Sequence, residues 1–411
     1  MDSFNYQIVD KLESLAKIGQ SEEGGMTRFS FTEEDKRARD LVKKWMVDLD
    51  MHIKEDAAGN IIARFGSLEE PAIAMGSHLD SVPNGGIYDG PLGVTTALEV
   101  IRRVKEEEVE LGCPLEIIVF SDEEGARFGG GLFGSKVMTG ILEEDALYRK
   151  DKNGISAYDA MKEFGYDPDN LESALRKPGE LKAYFEVHVE QAKVLEDLDH
   201  AVGIVSGIAG PVHFFAEFFG RADHAGATPM DLRQDALLGA AKAIIAAEDI
   251  ANRAGNSTVA TVGSIKVKPD ATNVIPGYAK LTFDVRDINV TDREWAVMEI
   301  KQELESIAEE YNLELKVTEL SSVPPVILDE QLLEVAEAVA NNENIDAHTM
   351  VSGAAHDAMN MTMLTKVLMF FVRSKDGLSH CPEEFSSEED INEAADLLYK
   401  TIKRLAIENI A

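Results

Sequence analysis

The stretch Met75–Gly93 reads MGSHLDSVPNGGIYDGPLG, and it places His78, Asp80 and Asp89 where an apolar run breaks into Gly, Ser, Pro and Asn. Such a break is how a buried strand looks when it ends in a loop at the edge of a sheet. Imidazole and carboxylate are ligands for divalent metals. His78 and Asp80 are two apart, so they project to the same side while the backbone stays extended. Asp89 lies in a turn between Tyr88 and Gly90, and the two oxygens of its carboxylate can bind two ions at once. A second apolar run, Leu115 to Phe120, ends in Ser121, Asp122, Glu123, Glu124 and Gly125. Neighbouring strands that end this way make a metal site at the carboxyl edge of a sheet, where open α/β proteins hold their ligands. For any single one of these residues, a solvated loop position is the simpler reading. HLD, YDG and DEEG together, each at a strand end, outweigh it.

Nine histidines are present. His188 lies in VHVEQ at the end of an alternating run, and His380 in the polar loop DGLSHCPEE. With Asp89 as a bridge, His78 with His188 and Glu124 with His380 complete two sites. This donor set suits Zn²⁺ best, with Mn²⁺, Co²⁺ or Ni²⁺ also feasible, so two divalent ions per subunit are expected. Two ions roughly 3.5–4 Å apart hold a bridging water and bring its pKa toward about 7. Side chains of adjacent residues diverge, so Glu124 binds metal while Glu123 faces that water. Glu123 is then the general base that takes the proton and delivers it to a leaving nitrogen. Asp80 suits a supporting role, either on the far imidazole nitrogen of His78 or in orienting a ligand. His224, in ADHAGATP, is either a surface residue or a hydrogen-bond donor to a developing oxyanion. Arg286, in FDVRD, either captures a carboxylate with its fork or pairs with Asp284 or Asp287.

Alternating elements must position these groups. Residues 4–17 read as an amphipathic helix. Thr32 with Asp35 resembles a capping box that opens a helix to about Leu49. His52–Lys54 and Asn60–Arg64 form a hairpin, Ala72–Met75 is the strand of the metal site, Leu92–Val109 is a helix and Leu115–Phe120 a strand. The run GGGLFG at 129–134 lacks the Lys-Ser/Thr ending of a phosphate loop and reads as close backbone packing behind the acids. Residues 141–178 read as small helices with polar loops, and Ala183–Val189 as a strand. The expectation is a mainly parallel, doubly wound α/β sheet. From Pro211 the pattern changes to strand 213–219, helix 233–252, strand 258–268, strand 278–286, helix 291–310 and strand 313–318. This is the β-α-β-β-α-β order of a ferredoxin-like unit. The domains expected are 1–210, the first catalytic part; 211–322, an inserted dimerisation or lid domain; and 323–411, the second catalytic part. In that last part, helix Gln331–Asn341, strand Val367–Val372 and helix Glu388–Ile407 close the chain.

Composition narrows the function. The 411 residues hold 40 Lys and Arg against 75 Asp and Glu, a net charge of −35. Nucleic acid and anionic membrane surfaces are therefore unsuitable partners, and a small anionic substrate needs local positive charge from metal or Arg. No run of eighteen apolar residues suggests a membrane helix. The N-terminal stretch lacks the basic and apolar regions of a signal peptide. Two cysteines, Cys113 and Cys381, argue against a disulfide framework and fit a reducing cytoplasm.

The segments GSHLDSVPNGGIYDGPLGV, FSDEEGARF, VHVEQ, DHAGATPM, ATNVIPG, SGAAHDA and FVRSKDGLSHCPEE span nearly the whole chain in this order. Together they resemble the dinuclear zinc amidohydrolases of the aminoacylase-like metallopeptidase superfamily. Within it they are similar to the branch of N-carbamoyl-L-amino-acid hydrolases, allantoate amidohydrolases and β-ureidopropionases. The resemblance implies that His78, Asp89, Glu124, His188 and His380 are the metal ligands and Glu123 the base. His188 follows the branch, where related peptidases often carry an acid. It further implies substrate contacts from Gln191, His224, Asn273, Arg286 and the Gly353–Ala354 backbone, with Arg286 on the substrate carboxylate. In similar enzymes the small domain forms a homodimer and lends its His to the partner, so His224 and Asn273 are expected to act in trans. His356, inside GAAHDA, is expected behind the site.

GIAG and SGAAHDA look most like L-carbamoylases. Pro211-Val212-His213 departs from the Gly-Gln-Arg type sequence frequent in allantoate enzymes. The function expected is metal-dependent hydrolysis of the carbamoyl C–N bond of N-carbamoyl-L-amino acids, giving L-amino acid, CO2 and ammonia. Allantoate amidohydrolase is the alternative, and β-ureidopropionase, aminoacylase or peptidase rank below. A non-catalytic metal-binding scaffold is the alternative of another class, and Glu123 argues against it.

Overall fold

The computed structural model describes residues 4–255 and 257–408. The first three residues of the N-terminal stretch lie outside them. The chain divides into two compact units. One comprises residues up to Ser206, Leu328–Met350 and the segment from His356 onward. The other is Gly207–Ile327 with Val351–Ala355.

The first unit is built on a sheet. Its strands run in the order His52–Glu55, Ile61–Phe65, Leu115–Phe120, Ala72–His78, Leu181–Val189, Lys366–Val372 and Val202–Ile208, with Ala347–Ser352 beside the last. The four central strands are parallel, and the pairings outside them from His52–Glu55 to Val202–Ile208 are antiparallel. Ala72–His78 and Leu115–Phe120 are buried at every residue, as parallel strands covered on both faces must be. The helix Pro91–Glu106 covers one face. Pro91 takes the first helical position, where its missing N–H costs nothing, and Leu92, Val94, Leu98, Ile101 and Val104 are buried. The expected α/β architecture is therefore present, with the parallel strands at the centre.

Several elements differ from their sequence reading. The first helix is Ile8–Ala16, shorter than 4–17, because the Gln7 N–H is taken by Glu99 Oε2 at 2.9 Å and the Asn5 carbonyl by Arg102 at 2.6 Å. The metal-site strand continues three residues past Met75 to His78. Asp35 reaches back to the Phe31 N–H rather than to that of Thr32, while Thr32 Oγ1 accepts from Asp35 N, a shifted form of the capping box. The GGGLFG run does not stay a loop: Leu132 N donates to Glu123 O at 2.6 Å and Gly134 N to Ser121 O at 2.8 Å, and a helix starts at Phe133. Strands Val202–Ile208 and Ala347–Ser352 and the short helix Asp357–Met361 carry too little periodicity to be read in advance.

The second unit holds an antiparallel sheet in the order Glu314–Ser322, Gly210–Phe219, Tyr278–Asp287, Val259–Lys268. Helices Ala236–Ala254 and Val290–Glu310 pack on it. Gly210–Phe219 and Tyr278–Asp287 alternate buried and half-buried residues, so one face carries the core, where Phe214 and Phe283 stack at 4.7 Å. This is the split β-α-β arrangement expected from the sequence. Residues 351–355, read in sequence as part of the second catalytic segment, belong to this unit.

Candidate metal centre

The parallel strands deliver the chemistry to one edge. His78 ends its strand, His188 is the penultimate residue of Leu181–Val189, Glu123 and Glu124 follow Phe120, and His380 lies in the loop after Val372. Register keeps the strand ends level, with His78 opposite Phe120 and His188 opposite Phe371. Asp89 is brought back over His78 by the turn at Gly90. Gly90 has φ +81°, and a Cβ there would lie 2.4 Å from His78 Cε1, so only glycine lets this turn close.

Asp89 stands at the centre. Its Oδ1 lies 3.2 Å from His188 Nε2 and 3.5 Å from His78 Nε2, and its Oδ2 lies 3.2 Å from His380 Nε2. Glu124 Oε2 is 3.7 Å from His380 Nε2, and Glu123 Oε2 is 3.6 Å from His78 Nε2. Two donor groups share Asp89, His78–Asp89–His188 and Asp89–Glu124–His380, and a third, Glu186–His188–His356, lies beside the first. The side chains of His78 and His188 are 1% and 2% exposed and that of His380 is 49% exposed, so the cluster is closed on one side and open on the other. Gln191 enters the same cluster, donating to Asp89 Oδ2 at 2.7 Å. Gln191 and His380 both have φ near +60°, a left-handed conformation that costs about 1 kcal/mol or more for such residues.

Hydrogen bonds fix the imidazole tautomers. His78 Nδ1 faces the Asp80 carbonyl at 3.1 Å and His188 Nδ1 the Val189 carbonyl at 3.0 Å. A carbonyl only accepts, so each Nδ1 carries the proton and each Nε2 turns its lone pair toward Asp89. His78 Nε2 is buried without a hydrogen-bond partner, as is Glu124 Oε1. Lone pairs that face carboxylate oxygens in a buried pocket need a cation or a proton between them. The titration behaviour says the same. Burial, then Asp89, push Glu124 up to about 7. Burial also raises Glu123 well above the carboxylate range, with Glu124 and Asp357 adding to it and His78 opposing. For His78, burial works against the charged form, yet Glu123, Asp89 and Asp80 outweigh it and hold its pKa well above the usual value. These residues fit a divalent cation in donor type, tautomer and charge.

The supports are partly unforeseen. The Asp80 carboxylate lies 3.7 Å from His78 Nδ1 and instead accepts the backbone N–H of both Glu123 and Glu124 at 3.1 Å, clamping the acid turn. Beneath it the buried Arg28 donates to Leu79 O at 2.8 Å, and Arg28 N donates to Ser81 Oγ. Glu384 holds the Asp89 turn by accepting from Tyr88 N and Asp89 N, while Ser379 Oγ bridges Asp89 Oδ2 and Glu384 Oε1. Glu384 sits in a polar loop beside Glu383, and no pattern in the sequence separates it from that solvated neighbour. Glu186, two residues before His188 on the same strand face, accepts from Ser77, Tyr184 and Ala358 N. His356 is buried edge-on to His188 with ring centroids 4.5 Å apart; burial, then His188, keep it neutral.

The remaining candidate residues belong to the second unit. His224 is exposed, and its Nδ1 accepts from Gly226 N and Ala227 N, so Nε2 carries the proton and is a donor. Asn273 is its neighbour through the bond from Ala225 N to Asn273 O at 3.0 Å. Arg286 binds Asp284 through two bonds, at 2.9 and 2.7 Å, and donates to Gly353 O at 2.8 Å. The pair with Asp284 is thus formed, and Gly353 and Ala354 lie in the same unit as Arg286.

With fold and donor geometry in hand, residues 74–404 match the family described as Peptidase family M20/M25/M40. The chain belongs to this family, whose members are metal-dependent. It is 44% identical to an N-carbamoyl-L-amino acid amidohydrolase of Geobacillus stearothermophilus over 97% of this chain and 98% of that protein. It is 35% identical to an allantoate deiminase of Arabidopsis thaliana, over 87% of this chain and 74% of that protein. Among solved structures, an amidase of the hydantoinase/carbamoylase family from Burkholderia multivorans superposes with a TM-score of 0.92 at 31% identity, covering 97% of each chain. Among the described residues, no helix is long and apolar enough to cross a membrane.

Proposed function

We propose that this chain hydrolyses the carbamoyl C–N bond of N-carbamoyl-L-amino acids, using two divalent ions per subunit, with zinc the best fit. The observation that carries the reading is Asp89, with one oxygen toward His78 and His188 and the other toward His380. His78, His188 and Asp89 would hold one ion, and Asp89, Glu124 and His380 would hold another. The similarity to the Geobacillus amidohydrolase supports the substrate class. When bound, the ions polarise the carbamoyl oxygen and acidify a water.

Glu123 takes the proton from the attacking water and passes it to the leaving nitrogen. Burial, the largest cause, raises its proton affinity and so suits it to accept a proton and give it back. Asp80 keeps the Glu123–Glu124 turn in register. His224 donates Nε2–H to the developing oxyanion, with its tautomer already set. Gln191, Asn273 and the Gly353–Ala354 backbone hold the ureido group, and Arg286 takes the carboxylate.

The second unit serves as a homodimer interface, with His224 and Asn273 completing a partner's site. Leu237, Leu238, Ile244 and Ile245 leave an apolar stripe on helix Ala236–Ala254, and the edge strand Val259–Lys268 exposes Val259 and Ile265. The test is ammonia release by the zinc- or manganese-loaded protein on N-carbamoyl-L-methionine, its D-isomer, N-carbamoyl-β-alanine and allantoate. Fast turnover of the L-isomer with an inert D-isomer is expected. Turnover of allantoate alone moves the assignment to the allantoate reading and leaves the metal residues in place.

A further inference from the structure

Arg286 lies on the face of its sheet turned away from the helices, in a group whose members each hold the next. His213 and Asp284 are opposite one another on adjacent strands, and Arg286 follows Asp284 by two residues on the same face. Ser321 Oγ contacts His213 Nδ1 at 3.0 Å. His213 Nε2 contacts Asp284 Oδ2 at 3.1 Å. Asp284 then takes Nε and one terminal nitrogen of Arg286, and the other terminal nitrogen donates to Gly353 O. These bonds use three of the five N–H donors of the guanidinium and leave one on each terminal nitrogen. Two donors on a planar fork are what a carboxylate accepts.

An arginine held by nothing loses rotamer entropy when it docks a ligand. Asp284 removes most of that cost in advance, because its two bonds fix both the position and the plane of the guanidinium. Asp284 in turn keeps a charge suited to the task. Its burial favours the neutral acid, and Arg286 and His213 outweigh that and lower its pKa. We propose that Asp284, braced by His213, is a positioning residue that presents Arg286 to the substrate's α-carboxylate and so governs KM. This rests on the carbamoyl amino acid reading above.

The test compares Asp284→Asn with the wild type on N-carbamoyl-L-methionine and on its carboxamide, N-carbamoyl-L-methioninamide, which has no carboxylate to dock. The expected result is a KM for the acid raised about tenfold, kcat within about threefold, and kinetics on the carboxamide unchanged. His213→Ala is expected to raise KM for the acid about threefold, and His213→Gln, which keeps an N–H donor, to restore much of it. Thermal melts of each variant separate these effects from loss of fold. An unchanged or lower KM for the acid overturns the proposal, as does an equal loss on both substrates, which marks a purely structural role. A wild type inactive on N-carbamoyl-L-methionine overturns the function reading and this proposal with it, whereas an active wild type with unaltered variants overturns this proposal alone.

Discussion

Glu99 and Glu124 are buried carboxylates of the same unit, with side chains 0% and 8% exposed. Burial pushes both toward the neutral acid, and their neighbours decide differently. Around Glu99 stand Lys11 at 2.7 Å, Arg102 at 2.6 Å and the Gln7 N–H, and together they bring its pKa below the ordinary value. Around Glu124 stand Asp89, Glu123 and Asp80, with only imidazoles to offset them, and its pKa rises to about 7. Glu99 ties the first helix to Pro91–Glu106 and is complete as it stands. Among the described residues, Glu124 has no Lys or Arg beside it, which fits it to take a cation. A buried acid with its own Lys and Arg holds the fold, and one left among acids and imidazoles at a strand end is a candidate binding group.

Substitutions test this contrast, and the largest effect belongs to the acid beside Glu124. Glu123→Gln is expected to lower kcat at least about 10³-fold while metal content, measured by elemental analysis, stays at the wild-type level. A variant with wild-type turnover would remove Glu123 from its role. Glu124→Gln is expected to weaken metal binding about 10–100-fold in chelator competition, and to raise the melting temperature of the metal-free protein, because it deletes an uncompensated buried charge. Glu99→Gln is expected to do the reverse. It leaves metal affinity alone and destabilises by about 2 kcal/mol in denaturant titration, since Lys11 loses its charged partner while Arg102 keeps Glu106 and the Asn5 carbonyl. If both glutamines destabilised the metal-free protein alike, the distinction between the two acids would fail.

The pH response is the smallest and most specific test. Glu124 has its folded pKa raised from 4.5 to about 7, so the folded protein binds the extra proton. Its contribution is fully present below about 4.5 and is lost as pH rises through about 7. Glu99 is depressed, so its contribution is present above 4.5 and is lost as pH falls through its lower folded value. Melts of the metal-free protein are therefore expected to show a loss of stability between pH 4.5 and 7 that Glu124→Gln reduces, Glu123 and Asp122 supplying the rest, and that Glu99→Gln leaves intact.

Much of the fold is legible because its signals are local. Short apolar runs at Leu115–Phe120, broken only by Glu116, and at 367–372 suit covered strands, and the alternation in Gly210–Phe219 and Tyr278–Asp287 suits a sheet with one buried face. Elements that depend on distant partners stay hidden. Asn5–Gln7 would continue a helix were Glu99 and Arg102 not holding the backbone, and Phe133 starts one only because the acid turn anchors the loop before it. In the metal centre, residue types speak for themselves. Supports such as Glu384, Ser379, Arg28 and Glu186 are ordinary polar residues until the fold delivers them.

The sequence by itself determined the candidate donors, because His and acids at strand ends carry their chemistry wherever they sit, and it determined the division into alternating α/β and split β-α-β segments, because hydrophobic period depends only on neighbours along the chain. Tertiary structure alone decided which nitrogen each imidazole presents, which way Asp89 divides its oxygens, that Asp80 clamps the acid turn, and that Arg286 is held by Asp284 and Gly353. The reach of Asp89 to His188 and His380, the Asp80 clamp and the Gly353 contact join residues far apart in sequence, and only packing sets such distances; the imidazole and Arg286–Asp284 bonds are local in sequence, but which rotamer makes them is set by the packed surroundings.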